Sequence, residues 1–178
     1  MLSDAEMFDR MKNGWRMGRP FTECGNGSTL DATENIRRWL PKMAEKYRIR
    51  HINDAGAGDM AWWPHVRWIR RIDYTPYDLI PRRADVQQID ITTEAMGLAD
   101  AILCRMVLNH LDPERVSMAL WLFKQSARYL IATQFDKDKL RDQSKEFTRL
   151  DLNDWLGKPL EQTPDGQEQG CRLAIWAL

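Results

Sequence analysis

The chain has 178 residues, 43% of them hydrophobic, with eight tryptophans. That length accommodates one domain with a sizeable core and is short for two. Formal net charge is zero, which argues against the strong basic field of a duplex-binding protein, and no run of about 18 apolar residues marks a membrane span.

The first 28 residues are spotted with glycine and are expected to form a short helix followed by a long loop, a candidate lid over an active site. Acids precede any apolar segment there and no small-residue cleavage pattern follows, so the expectation is a cytoplasmic protein without a signal peptide. From residue 29 a single domain is expected to run to residue 178. Ser28 is positioned to cap a helix with Asp31 at its third position. Leu30, Thr33, Ile36, Leu40, Met43 and Tyr47 recur every three or four residues as one buried stripe. Pro41 is expected to break or kink that helix.

RIRHIND, residues 48–54, reads as a first strand, and the glycine turn DAGAGD follows it at once. VRWIRRID, 66–73, reads as a second strand, ending at Asp73. Thr75 and Pro76 then read as the cap and first residue of a helix. VQQIDI, 86–91, is a third strand, and the apolar ADAILCRMV, 99–107, is a central one covered on both faces. Asp112 and Pro113 open a helix that turns Val116, Ala119, Leu120, Phe123 and Ala127 inward, before a fifth strand, YLIATQF, at 129–135. Residues 150–166 are more polar and broken by Pro159, and CRLAIWAL, 171–178, is a final strand. Strands alternating with helices and then following one another directly predict an α/β, doubly wound domain, mostly parallel with an antiparallel C-terminal edge.

In such a sheet ligands bind at the carboxyl ends of the strands. Gly56 and Gly58 permit a tight turn there, but Met60 stands where the dinucleotide fingerprint has its third glycine, and no Gly-Lys-Ser/Thr follows for a P-loop. The acids carry more information. Asp54 starts the turn, Asp73 comes about twenty residues on, where a carboxylate accepts ribose hydroxyls, and Asp90 follows near a third strand end. Three acids at successive strand ends describe a crevice for a nucleoside without phosphates, such as S-adenosylmethionine. Asp59 has two readings, touching ligand or capping the next turn.

The ordered segments GNGSTLDATENIRRWLP, DAGAGDMAWW, IDYTP, ADAILCRMVLNHL and RYLIATQF resemble the class I S-adenosylmethionine-dependent methyltransferases, and more narrowly a bacterial and phage branch of them, over roughly residues 20–178. The resemblance implies a Rossmann-like methyltransferase domain. It further implies that Asp54, Gly56 and Gly58 hold the methionine moiety, Asp73 the ribose and Asp90 the adenine ring, with Ala55, Asp59, Tyr74 and Ile91 as further candidate cofactor-binding residues. The narrower branch commonly has an acid where this chain has Met106, which puts a catalytic role for that position in doubt.

After the fourth strand, Arg105, Asn109 and His110 are the candidates for chemistry. His110 is expected either to take a proton from the acceptor or to bond loop backbone, and Arg105 to hold a substrate carboxylate or phosphate or to form a structural salt bridge. No catalytic metal is indicated, since His51 and His65 have no neighbouring ligands in sequence. Cys24, Cys104 and Cys171 lie far apart and are expected reduced. With no Asp-Pro-Pro-Tyr tetrad after strand four, no Pro-Cys nucleophile and no separate recognition domain, the expected acceptor is a small hydroxylated or nitrogenous molecule. The alternatives are a nucleic-acid methyltransferase using the N-terminal arginines, and a non-catalytic cofactor-binding protein of the same fold.

Overall fold

A computed structural model describes residues 22–136, 149–166 and 170–178. Seven strands form one sheet: β1 (His51–Ala55), β2 (Asp73–Asp78), β3 (Gln87–Gln88), β4 (Ala99–Cys104), β5 (Ala127–Phe135), β6 (Glu161–Pro164) and β7 (Cys171–Ala177). Their order is β3-β2-β1-β4-β5-β7-β6. The first five pair in parallel, and β7 pairs antiparallel with both β5 and β6. The fold is therefore the expected α/β sheet with antiparallel pairing at its C-terminal edge.

One long helix covers each face. Helix α1 (Glu34–Lys46) lays Ile36, Leu40 and Met43 on Ile52, Ala101, Leu103, Ile131 and Ile175. Helix α2 (Pro113–Ser126) lays Val116, Ala119, Leu120 and Phe123 on Ile102, Cys104, Leu130, Ala132 and Trp176. The period-two alternation of a strand sends adjacent residues to opposite faces. This is why Ile102 belongs to one cluster and Leu103 to the other, and why β4 is apolar from Ala101 to Cys104. A short helix, α3 (Asn153–Leu156), precedes β6. Among the described residues no helix is long and apolar enough to cross a membrane.

Several elements differ from expectation. The stripe of α1 is buried as predicted, but the helix starts at Glu34; residues 29–33 form a separate turn in which Thr29 Oγ1 accepts from the Ala32 N–H at 3.3 Å. The helix runs on through Pro41, because the buried face on both sides of it outweighs one missing hydrogen bond. Asp112 caps α2 through the Arg115 N–H, at 2.9 Å.

Residues 66–72, expected as the body of the second strand, form no strand at all. Both edges of β1 are already taken, by β2 and β4, so an extended segment there has no ladder to join. The strand begins instead at Asp73 and contains the Thr75-Pro76 pair expected to open a helix. Pro76 is tolerated for a geometric reason. The Tyr77 carbonyl faces β1, where it accepts from Gly56 and Ala57, and the Asp78 carbonyl faces β3, where it accepts from Ile89. By alternation the position of the missing Pro76 N–H faces the β3 side, and β3 pairs only with Tyr77 and Asp78. Pro76→Ala is therefore expected to change unfolding free energy by less than about 1 kcal/mol, whereas Thr75→Pro, on the β1 side, costs about 3 kcal/mol or more. Urea denaturation of the two variants checks this, and equal effects would refute it.

Candidate active site

The strand order reverses between β1 and β4, so the loops that leave their carboxyl ends part and open a crevice. Asp54 lies at this end of β1, 5% exposed, and accepts from the Tyr74 hydroxyl at 2.5 Å. Tyr74 stacks on Trp63 with ring centroids 3.8 Å apart, so this aromatic pair supports the carboxyl from beneath. Burial pushes the Asp54 carboxyl up to about 7; the Tyr74 bond opposes that rise, the Asp78 charge adds to it, and Arg105 offsets it. Ala55 ends the strand, fully buried in the α2-side core.

The glycine turn is packed against protein on both sides. Gly56 has φ +93°, and a Cβ there would come within 2.3 Å of Val107 Cγ2; Gly58 has φ +59°, and a Cβ there would come within 2.6 Å of Cys24 Sγ. The space the two glycines leave thus lets the loop after β4 and the segment before α1 close on the turn. Asp59 completes that closure. Its Oδ2 accepts from Thr22 Oγ1 and the Glu23 N–H, both at 2.7 Å, and its Oδ1 from the Ala61 N–H at 3.1 Å. Of its two readings, the geometry gives the cap and latch. Burial pushes the Cys24 thiol up to about 11, so it is no thiolate nucleophile.

Asp73 is corrected in position. It is the first residue of β2, opposite His51, exposed and paired with Arg71, about 16 Å of strand from the carboxyl edge. The acid at the carboxyl end of β2 is Asp78. Its Oδ2 accepts from the Gly58 N–H at 2.8 Å and its Oδ1 from the Ile80 N–H at 3.0 Å. The sequence carried the signal for it, an acid twenty residues after Gly58, but the mistaken strand at 66–73 drew attention to Asp73. Tyr74 belongs to the support of Asp54, as described, and lies on the strand before the edge.

Asp90 follows β3 and uses Oδ1 to accept from Thr92 N and Oγ1, at 2.9 and 2.7 Å, which fixes the turn and leaves Oδ2 without a partner among the described residues. Ile91 packs against the α2-side core. Asp78 and Asp90 therefore sit at neighbouring strand ends, joined by the backbone bond from Ile89 to Asp78.

Beyond β4, Arg105 is an ion-pair residue: its guanidinium is bidentate to Asp165, at 2.8–3.1 Å, and donates to the Gly27 carbonyl at 2.8 Å. Both side chains are buried, 7% and 0% exposed, so the ion pair matches the structural salt bridge among the readings for Arg105. Met106 is left-handed at φ +57°, as is Met60 at +56° beside the glycine turn, so both margins of the crevice hold strained non-glycine backbone. Asn109, 3% exposed, has neither amide atom hydrogen-bonded among the described residues. Such a group costs about 1–3 kcal/mol when left unsatisfied, and Asn53 and Asn153 each hold a further buried oxygen in the same state. His110 is half-buried in the same turn, its N–H bonded to the Val107 carbonyl at 2.9 Å. Among the described residues no three His, Cys, Asp or Glu side chains gather as metal ligands.

No protein-family model matches the chain, and neither does any curated protein sequence. Solved structures do. The magnesium protoporphyrin IX methyltransferase of Synechocystis, crystallised with S-adenosylhomocysteine, aligns over 97% of this chain and 93% of its own, with a TM-score of 0.58 and 14% identity. The apo S-adenosylmethionine-dependent methyltransferase SibL aligns over 79% of this chain and 54% of its own, at 0.55 and 13%. Human N-acetylserotonin methyltransferase, crystallised with S-adenosylmethionine, aligns over 79% and 51%, at 0.56 and 10%. The chain has the Rossmann-like methyltransferase fold. It spans about half the length of the last two proteins.

Two outcomes test this geometry. Asp165→Ala strands a buried guanidinium and is expected to cost about 3–5 kcal/mol of stability, read by urea denaturation; a loss under 1 kcal/mol would show the pair to be dispensable. Because the Asp54 value is raised in the folded chain, its stability contribution is fully present below about pH 4 and is lost as pH rises through about 7. Wild-type stability should therefore fall relative to Asp54→Asn across that window, and parallel pH profiles of the two proteins would contradict the assignment.

Proposed function

We propose that the protein is a cytoplasmic S-adenosylmethionine-dependent methyltransferase acting on a small hydroxylated or nitrogenous acceptor, related to the bacterial and phage branch that its motifs resemble. The observation that carries this reading is the meeting of the Asp54 turn, Asp78, Asp90 and the unsatisfied Asn109 amide around the β1/β4 reversal of a methyltransferase fold.

The donor set suits the cofactor. Asp78 retains a second lone pair on each oxygen and Asp90 has a whole oxygen to offer, which fits ribose hydroxyls and an adenine amine. Asp54, with Ala55, Gly56 and Gly58, would lie beside the methionine moiety, and its half-protonated carboxyl near neutral pH can donate or accept there. Bound S-adenosylmethionine supplies an electrophilic methyl group on a sulfonium leaving group. The chain then has to orient the acceptor, exclude water and remove a proton. The Asn109 amide, with its NH2 and carbonyl oxygen both unbonded among the described residues, is the candidate to orient a hydroxyl or amine, and His110, next in the chain, is the candidate base at the acceptor's heteroatom. The hydrogen bonds that tie residues 22–28 to Asp59 and Arg105 support a lid role for the N-terminal segment.

Purified protein should bind S-adenosylmethionine with micromolar affinity, about −7 to −8 kcal/mol. Asp78→Ala should lose about 1.5–3 kcal/mol of that by calorimetry, while Asp73→Ala loses none. The reverse result would restore Asp73 and remove Asp78. Methyl-labelled cofactor incubated with fractionated metabolites, nucleic acids and proteins should label the small-molecule fraction. Label confined to macromolecules would reject the acceptor class, and binding without any transfer would reject the enzyme.

A further inference from the structure

Away from the crevice, α1 and the connection after the glycine turn enclose an open groove of about 610 Å³. Arg37, Arg38, Pro41 and Lys42 line one wall with Glu34, and His65, Arg67 and Ile69 line the other. Four guanidinium and ammonium groups thus face one carboxylate, a net charge of +3 with His65 neutral. Arg38 pairs with that Glu34 one turn away at 2.5 Å. Arg37 bonds only neutral oxygens, of Thr33 and Leu30, at 3.2 and 2.8 Å. Lys42 and Arg67 have no ion pair among the described residues, and both are exposed.

The positive field stops at the rim of the groove. Arg70 is paired with Glu45, Arg71 with Asp73 and Lys46 with Glu161. A polynucleotide needs a basic track that continues along its backbone, and here Glu45, Asp73 and Glu161 neutralise the neighbouring cations Arg70, Arg71 and Lys46. A compact anion needs only the groove, whose helical wall from Glu34 to Lys42 is about 12 Å long, and whose volume is that of a small-molecule site. Like charges held together in this way repel one another until an anion enters.

We propose that this groove binds the polyphosphate group of a small phosphorylated ligand, of the size a nucleotide carries. The start of α1 lies at the carboxyl edge, where the neighbouring Gly27 carbonyl meets Arg105, and its end leads into the amino end of β1. The groove thus runs along the outside of α1 and shares no lining residue with the crevice. The site stands independently of the methyl-donor reading.

Calorimetry at low salt with tripolyphosphate, a nucleoside triphosphate and a series of single-stranded oligonucleotides tests this. Saturable one-to-one binding of the first two is expected, at least tenfold weaker in Lys42→Ala/Arg67→Ala, unchanged in Lys124→Ala on α2, and retained in Lys42→Arg/Arg67→Lys. Asp78→Ala should leave it unchanged, which separates failure of this site from failure of the methyl-donor site. Both groove residues are exposed, so the double variant should melt no lower than the wild type. The proposal is overturned by absence of saturable tripolyphosphate binding, by equal weakening in Lys124→Ala, or by affinity that grows with oligonucleotide length and resists competition by tripolyphosphate.

Discussion

Everything at the carboxyl edge depends on one buried cation. Arg105 leaves the end of β4, meets Asp165 beside the β6–β7 hairpin, reaches the Gly27 carbonyl ahead of α1, and lies 5.9 Å from the centre of the Trp62 ring. Three segments distant in sequence are thereby held to the same point. Taking a guanidinium and a carboxylate out of water is costly, and it succeeds here because the fork is bidentate and a remaining donor finds a carbonyl. The pair is weak evidence for stability in itself. Its consequence is positional: with Arg105 tied down, the following residues, Met106 to His110, emerge from a defined place.

Strain is concentrated around that place. Met60 and Met106 both take left-handed backbone without being glycine, and Gly56 and Gly58 are pressed against Val107 and Cys24. The ladder of β1 and the latch at Asp59 hold these departures from easy geometry in place. Asn109, buried with its amide unsatisfied, belongs to the same pattern of stability given up beside a crevice.

Neutral net charge conceals a strong local arrangement. Acids gather at the strand ends, where Asp54 is pushed up toward neutrality by burial and by its neighbour Asp78, whereas cations gather along the outer flank of α1. A charge total cannot distinguish that arrangement from an evenly mixed surface.

The sequence by itself determined the fold class, because periodicity reports burial. The stripe of α1, the capped start of α2, the mostly apolar β4 and the glycine turn after β1 were all legible, and with them the placement of Asp54 and Asp90 at strand ends. What it left undecided were the features set by who pairs with whom. Residues 66–73 have strand composition, yet β1 has no free edge for them, so β2 begins at Asp73 and the edge acid becomes Asp78. Thr75-Pro76 is a good helix start locally, and only the shortness of β3 makes it acceptable as strand. Arg105 could have faced ligand until Asp165, sixty residues later, proved to be its partner. Local propensity acts over a few residues and is written in the chain; ladder partners and buried ion pairs join distant residues, and only the closed sheet selects among them.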